Sequence, residues 1–362
     1  MVAVLRKFGA VVAAAALVAA AGAPTRADTG WHEVGLPFFW PKTGINDIAA
    51  GGAGNVWFAG YQGSLPIFAP ELSTIIWTSG NPVVRRWTGS GWKEYPLNGF
   101  SGTGALGDVS AGAETWILSN ASSGPYVARF DGTAFARVTA PSDVEQLRTV
   151  HTGPAGTWLT AWRRDHAGEG LYRWRDGAFV AETLPAGLSG LATLVQIGPS
   201  DAWLGATRQQ AGGGSVATTL HWTGGAWTEV PTPTTSKALR TLTAGGPDDI
   251  WAAAADVVSR WAPVESLLHW NGTAWSPVAL PGGGFSARDV IVDGTGRAWL
   301  GGTDGTTGVL YRRDGDTWTK QTIPLPSGAK RLDLYRFAAI PGTATLWAEG
   351  TRDDNPVVMT NQ

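Results

Sequence analysis

The chain has 362 residues, with 27 Lys and Arg against 29 Asp and Glu, 50 glycines, 20 tryptophans and no cysteine. The near-balance of charge excludes the basic footprint that nucleic-acid binding needs, and the missing thiols exclude disulfides, a lipid-modified cysteine anchor and a cysteine nucleophile. So much glycine and tryptophan, with few helix-forming runs, points to short strands joined by tight turns.

In chain order the first element is "VLRKFGAVVAAAALVAAAGAPTRA", residues 4–27. Arg6 and Lys7 precede a short, alanine-rich apolar run that ends in small residues at Ala27. This is the pattern of a signal peptide over 1–27, with cleavage before Asp28 and a secreted mature chain over 28–362. Cleavage removes three basic residues and no acidic one, leaving 27 − 3 = 24 basic against 29 acidic, a net charge of −5. No later apolar stretch is long enough to span a bilayer.

The next element, "DTGWHEVGLP" (28–37), has the form of the later "GGAWTEVPTP" (224–233). A first landmark then recurs, a tryptophan after a Gly-rich turn: Trp57, Trp116, Trp158, Trp203, Trp251, Trp299 and Trp347, the last three intervals all being 48. A second landmark is an aromatic pair flanking a turn, as in "RWTGSGW", "RFDGTAF", "RWRDGAF", "HWTGGAW", "HWNGTAW" and the weaker "RRDGDTW". Asp-Gly and Asn-Gly supply the positive φ that twisted hairpin turns demand, so each pair marks two adjacent strands. One unit therefore reads strand a ("RDVIV"), b ("RAWLGG"), c ("VLYRR") and d ("TWTKQTI"). Four antiparallel strands in about 45 residues are the content of one propeller blade.

The first landmark occurs seven times and the second six, because the last unit stops at "NPVVMTNQ" without a strand d. Residues 28–37 supply the missing strand. The expected fold is all-β: a single seven-bladed β-propeller of four-stranded antiparallel blades over 28–362, its ring closed by the N-terminal strand. The run "VDGTGRAWLGGTDG" followed by "LYRRDG" resembles the repeats of regulator-propeller and Kelch-like families, a resemblance that implies the fold and leaves the function open.

The repeat accounts for sixteen of the 20 tryptophans as blade-packing residues. The four outside it are Trp40, in the connection into blade 1, and Trp77, Trp162 and Trp261, which the pattern places in b–c loops. In a four-stranded meander the b–c and d–a connections leave the blade at one end, so all four fall on one face of the disc. Phe38, Phe39, Phe100 and Phe285 join them there. The b–c loop of blade 1, "QGSLPIFAPELSTIIWTSGN", has 20 residues, a length usually reserved for function. Arg148, Arg240, Arg288 and Arg336 lie ten or eleven residues before the b-strand tryptophans, at the start of strand a, where Asn46 stands in blade 1. They are expected to ring the channel mouth. There they either attract an anionic ligand through their planar forks or pair between blades with Asp47, Asp108, Asp289 or Asp333.

No catalytic motif, metal-ligand spacing, phosphate-binding loop or cofactor signature is present, and His221 and His269, at equivalent blade positions, read as structural. Asp165, His166 and Glu169 in "WRRDHAGEG" are the best acid–base candidates, on a b–c loop of the same face, and are expected to be a solvated charged loop rather than a catalytic group. The expected function is a secreted, non-enzymatic, lectin-like module that recognises a glycan or cell-surface polymer through Trp40, Trp77, Trp162, Trp261 and the four arginines. Two alternatives stay open: a protein-interaction scaffold using the apolar loop of blade 1, and a propeller lyase or glycoside-active enzyme.

Overall fold

A computed structural model describes residues 30–362 apart from 73, 166–167 and 258–261; the expected signal peptide lies outside them. The repeat unit becomes seven antiparallel sheets arranged as blades. Strand a of each blade is the innermost: Gly44–Ala50, Leu106–Ala111, Val144–Gly153, Leu188–Gly198, Ala238–Gly246, Phe285–Val292 and Leu332–Ala339. Each touches strand a of the next blade, and the seventh touches the first, so the ring is closed. Strand b carries the first landmark: Val56–Gln62, Thr115–Ala121, Gly156–Arg163, Asp201–Gln209, Asp249–Ala255, Ala298–Asp304 and Leu346–Arg352. Strands c and d follow outward. In blade 2 a two-residue strand, Leu97–Asn98, adds in parallel to the outermost strand Phe135–Val138 and covers its edge.

The core consists of seven clusters, one between each pair of neighbouring blades. The b-strand tryptophan of one blade enters the aromatic pair on strands c and d of the next. Trp158 meets Trp222 and Trp227 at 5.3 and 5.4 Å, Trp203 meets Trp270 and Trp275 at 5.0 and 5.9 Å, and Trp347 meets Trp87 and Trp92 at 5.8 and 6.0 Å. Tilted and edge-to-face geometries at these separations suit the ring quadrupoles and add to the large area each tryptophan buries. His221 and His269 lie flat against Trp203 and Trp251 and bond through Nε2 to Asp201 and Asp249, at 2.9 and 2.8 Å. They are pieces of the repeat.

Strand a carries a bulge at the same level in several blades, where one residue is skipped in the pairing with strand b: Asn46, Arg148, Arg240, Arg288 and Tyr335. The bulged backbone presses so close to strand b that only glycine fits opposite it in three blades. A Cβ on Gly60, Gly302 or Gly350 would lie 1.9–2.1 Å from a carbonyl oxygen of strand a.

His32–Glu33 pairs antiparallel with Asn355–Thr360 and completes blade 7. The register puts Trp31 where Trp275 stands in blade 5, and its ring is buried with Trp299, Leu310 and Met359 between blades 6 and 7. Arg352 donates to Glu33 Oε2 at 2.7 Å across the seam. Replacing Trp31 by alanine should therefore cost about 3–5 kcal/mol, as deletions of large buried rings do, and removing residues 28–37 should cost no less. Thermal unfolding of either variant at the wild-type temperature would show the strand to be dispensable.

Candidate functional site

The strand order sends the b–c and d–a connections to one face of the ring. The b–c segment of blade 1 dominates that face and has structure of its own. Pro66–Ala69 pairs with Thr74–Trp77 as a hairpin around a single 3₁₀ turn, Pro70–Leu72. Its base is fixed by Thr78, whose carbonyl accepts from Ser64 Oγ at 2.5 Å and whose hydroxyl accepts from the Leu65 amide at 2.8 Å.

Among the described side chains of the hairpin, none belongs to any of the seven cores. Instead Leu65, Ile67, Phe68 and Ile76 are exposed, Phe68 to 66%. Ile67 and Ile76 face each other across the two strands. The connection from blade 7 into blade 1 adds Phe38 and Trp40, 74% and 62% exposed and edge-on at 5.7 Å. Six of the ten exposed large apolar side chains among the described residues thus stand in one segment, Phe38–Ile76. Below them a pocket of about 490 Å³ is lined by Trp40, Pro41, Lys42, Gly63, Ser64, Leu65, Pro66 and Asn81.

Other residues expected on this face are placed differently. Trp162 belongs to strand b of blade 3 rather than to a loop, pairing with Gln146 and Glu169, and is 37% exposed. Phe39, Phe100 and Phe285 turn inward, onto Phe58, Tyr126 and Tyr311 at 5.8, 5.0 and 4.7 Å. The backbone of Trp77 pairs with Pro66; Trp261 and His166 lie outside the described residues.

The four arginines are not equivalent. Arg148, Arg240 and Arg288 are the skipped residues of their bulges. Arg336 lies one step further along, paired with Glu349 in the register that Asp47, Thr149, Thr241 and Asp289 occupy elsewhere. Counting back from the tryptophan is blind to this step, because in blade 7 the skipped residue is Tyr335.

That step moves Arg336 into the channel, a space of about 440 Å³ lined by Asp47, Asp108, Arg148, His151, Arg240, Asp289 and Arg336 among others. Three of these carboxylates tie neighbouring blades together. Asp47 accepts the Val109 amide at 3.0 Å, Asp108 accepts that of Val150 at 2.7 Å, and Asp289 accepts the Thr241 hydroxyl at 2.6 Å. Burial works against the charge on Arg336, but Asp289, Asp47, Asp108 and Glu349 outweigh it and hold the guanidinium above its ordinary pKa. Burial, then the charge and hydrogen bond of Asp47, push Asp108 well above the usual carboxylate range, with the Val150 amide and Arg336 partly offsetting them. Burial also raises Asp289 against the pull of Arg336, the Thr241 hydroxyl and Arg240. Sequence reasoning missed Glu349, the partner of Arg336 across the strands. The signal was there: the residue two after the b-strand tryptophan is Ala59, Leu118, Thr160, Gly205, Ala253 and Gly301 in the other blades.

Arg240 is buried and donates through Nη1 to the Ala262 carbonyl, anchoring the b–c segment of blade 5. Arg288 is half-buried. Arg148 differs from both, with 43% of its side chain exposed and Glu169 held against its Nε at 3.3 Å. Glu169 is not the solvated charge expected. Its side chain is buried, its Oε2 accepts the Leu191 amide, and burial raises its pKa against the pull of that amide and of Arg148. Asp165 is exposed beside Arg163 at 3.6 Å. Above the channel, between blades 1, 2 and 3, a second pocket of about 630 Å³ is lined by Asn46, Tyr61, Ser64, Thr78, Ser79, Asn120 and Arg148, among others.

No family model and no curated protein matches this chain. Solved structures do resemble it. YCF48 bound to a D1 peptide is 13% identical, with 91% of this chain and 96% of that one covered and a TM-score of 0.57. A catalytically inactive virginiamycin B lyase from Staphylococcus aureus with quinupristin is 14% identical, covering 91% and 98%, at 0.60. The propeller domain of the trilobed protease from Pyrococcus furiosus, described as having an open velcro topology, is 8% identical, covering 89% and 94%, at 0.55. At such identities the likeness is one of fold; the Kelch-like and lectin resemblances gain no family match from it.

One channel residue gives a pH signature. His151 Nε2 accepts the Leu194 amide at 3.3 Å, and burial followed by the charge of Arg336 lowers its pKa to about 4. The unfolded chain takes up this proton near the ordinary histidine pKa of about 6.5, so it binds more protons than the folded chain between those values. Stability should fall as pH drops from about 6.5 toward 4, and His151→Gln should flatten that limb. Denaturant midpoints across this range check it; an identical slope in the variant would assign the limb to other groups.

Proposed function

We propose that the mature chain is secreted by way of residues 1–27 and serves as a binding module for a protein partner, held on the face bearing the b–c and d–a connections. The observation that carries this reading is the blade 1 ridge. Phe38, Trp40, Leu65, Ile67, Phe68 and Ile76 are exposed on the hairpin and on the connection into blade 1, and none of the six belongs to the propeller core. A two-stranded hairpin is at best marginally stable in water, and a contiguous exposed apolar surface marks a place of contact.

The chemistry favours a polypeptide over a sugar. Glycans are bound by stacking on rings with polar groups close by for the hydroxyls, whereas four of the six ridge residues other than the Phe38–Trp40 pair are Leu65, Ile67, Phe68 and Ile76, three of them aliphatic. Aliphatic side chains suit apolar side chains of a partner. The hairpin is also a two-stranded sheet, and an extended segment can add to such a sheet through main-chain hydrogen bonds. YCF48 bound to a D1 peptide is one protein of similar fold with a peptide partner, which supports the feasibility of this mode.

Selection of peptides from a displayed random library on the mature chain tests the reading. The selected sequences should bind a ridge variant, Phe38→Ser with Phe68→Ser and Ile76→Thr, at least about tenfold more weakly, since truncating apolar contact residues costs about 1–3 kcal/mol each when they anchor an interface. The variant should melt with the wild type. Binding to a glycan array that survives in the ridge variant and is lost in Trp40→Ala and Trp162→Ala would return the lectin-like reading in its place.

A further inference from the structure

The pocket between blades 1, 2 and 3 has a chemistry of its own. Its polar lining consists of Asn46, Tyr61, Ser64, Thr78, Ser79, Asn120 and Arg148, and no carboxylate is among the lining residues. The acids of the ring, Asp47, Asp108 and Asp289, line the channel instead, where Arg336 answers them. Arg148 borders both spaces. Among the described residues its one ion-pair partner is Glu169, which approaches the Nε side of the guanidinium, and 43% of the side chain stays in contact with solvent. A guanidinium has five N–H donors, so the Nε contact leaves the Nη edge able to take a second carboxylate.

The surroundings are already fixed. Asn120 bonds both the carbonyl and the amide of Leu147, at 2.9 and 2.8 Å, holding the bulge that presents Arg148, and Asn46 donates to the Leu106 carbonyl at 2.8 Å. Ser64 lines this pocket and also the apolar pocket beside Trp40. One extended segment of a partner can therefore lie across Ser64 with an apolar residue on the Trp40 side and a charged group on the Arg148 side.

Resting on the protein-binding reading above, we infer that the partner segment is anionic: an apolar residue seated beside Trp40 is followed by a carboxylate that binds Arg148 in the pocket between blades 1, 2 and 3. The carboxylate has two possible sources, a chain terminus or an Asp or Glu side chain, and the pocket treats both alike as a planar anion that fits the guanidinium edge. Phosphate and sulfate groups are tetrahedral and more highly charged, and Arg148 is the one cation in the lining to meet them.

The test is a titration of the isotope-labelled mature chain, followed by amide NMR shifts, with three short peptides. N-acetyl-Phe-Gly with a free C-terminus carries a terminal carboxylate. N-acetyl-Phe-Glu-amide carries a side-chain carboxylate, and N-acetyl-Phe-Gln-amide carries none. We expect at least one acidic peptide to shift the amides of Ser79, Asn120 and Arg148 and to bind at least about tenfold more tightly than the neutral one; which of the two binds names the source. Arg148→Gln leaves Glu169 buried opposite a neutral group and destabilises the fold for that reason alone, so Arg148→Gln with Glu169→Gln is the informative variant. It should keep the wild-type melting temperature and bind all three peptides equally. Equal affinity of the acidic and neutral peptides for the wild-type chain would overturn the inference, as would an acidic preference that survives in the double variant. Acid-selective binding with no effect of the ridge substitutions on selected peptides would overturn only the role of the ridge.

Discussion

Everything in this molecule depends on one contact repeated around a ring, the insertion of a b-strand tryptophan into the aromatic pair of the next blade. A four-stranded sheet has two apolar faces and cannot bury both alone. The tryptophan solves this by belonging to its own blade in sequence and to the neighbouring blade in space, so each core is shared between two units. The requirement is cyclic. Blade 7 gives Trp347 to blade 1, and the cluster between blades 6 and 7 is completed by Trp31 from the other end of the described chain.

This explains what was legible in the sequence. The tryptophan spacing and the aromatic pairs report a contact that recurs around the ring, with a full pair at five of the seven interfaces, so they reveal blade number, strand order and closure. The face carrying the long connections was legible for the same reason, since it follows from strand polarity. What was hidden depends on features that do not repeat. The a–b turn of blade 7 is one residue longer, Ala338 pairing with Trp347 where Ile291 pairs with Trp299 in blade 6, so Arg336 counted as the equal of Arg148, Arg240 and Arg288 although it sits in the position Asp289 holds. Glu169 looked solvated because its neighbours Arg163, Arg164 and Asp165 are charged, yet the strand it opens turns its side chain toward Leu191. The 20-residue connection of blade 1 concealed a hairpin because its strands are four residues each, too short for alternation to show.

The charges divide along the axis of the disc. Inside the channel, three aspartates tie adjacent blades by accepting amide and hydroxyl protons, and Arg336 balances them with help from Arg240 at Asp289, where desolvation is costly. Arg148, held by Glu169 at its Nε, also borders a pocket whose other lining residues are uncharged. Burial and the charge and hydrogen bond of the neighbouring Asp47 push the pKa of Asp108 well up, and Arg336 offsets part of the cost of placing the two carboxyls together. Channel chemistry is thus committed to holding blades together, while the exposed apolar side chains gather outside it, in the segment Phe38–Ile76.

The seam in blade 7 also sets an order of events. The Glu33–Arg352 bond joins residues 319 positions apart in the chain. Closing a loop of that length from a random coil would cost about 5 kcal/mol in entropy, more than two short β-pairs return. The cost shrinks only once the intervening blades have formed and curved round to bring the two segments together. Entropy therefore favours closing the seam late, after the blades it joins have formed. A chain caught before that moment presents one bare sheet edge, which the equivalent strand of a second molecule can occupy as readily as its own. Chain concentration would then set the balance between a closed monomer and a strand-exchanged pair, with no change in any contact that defines the fold.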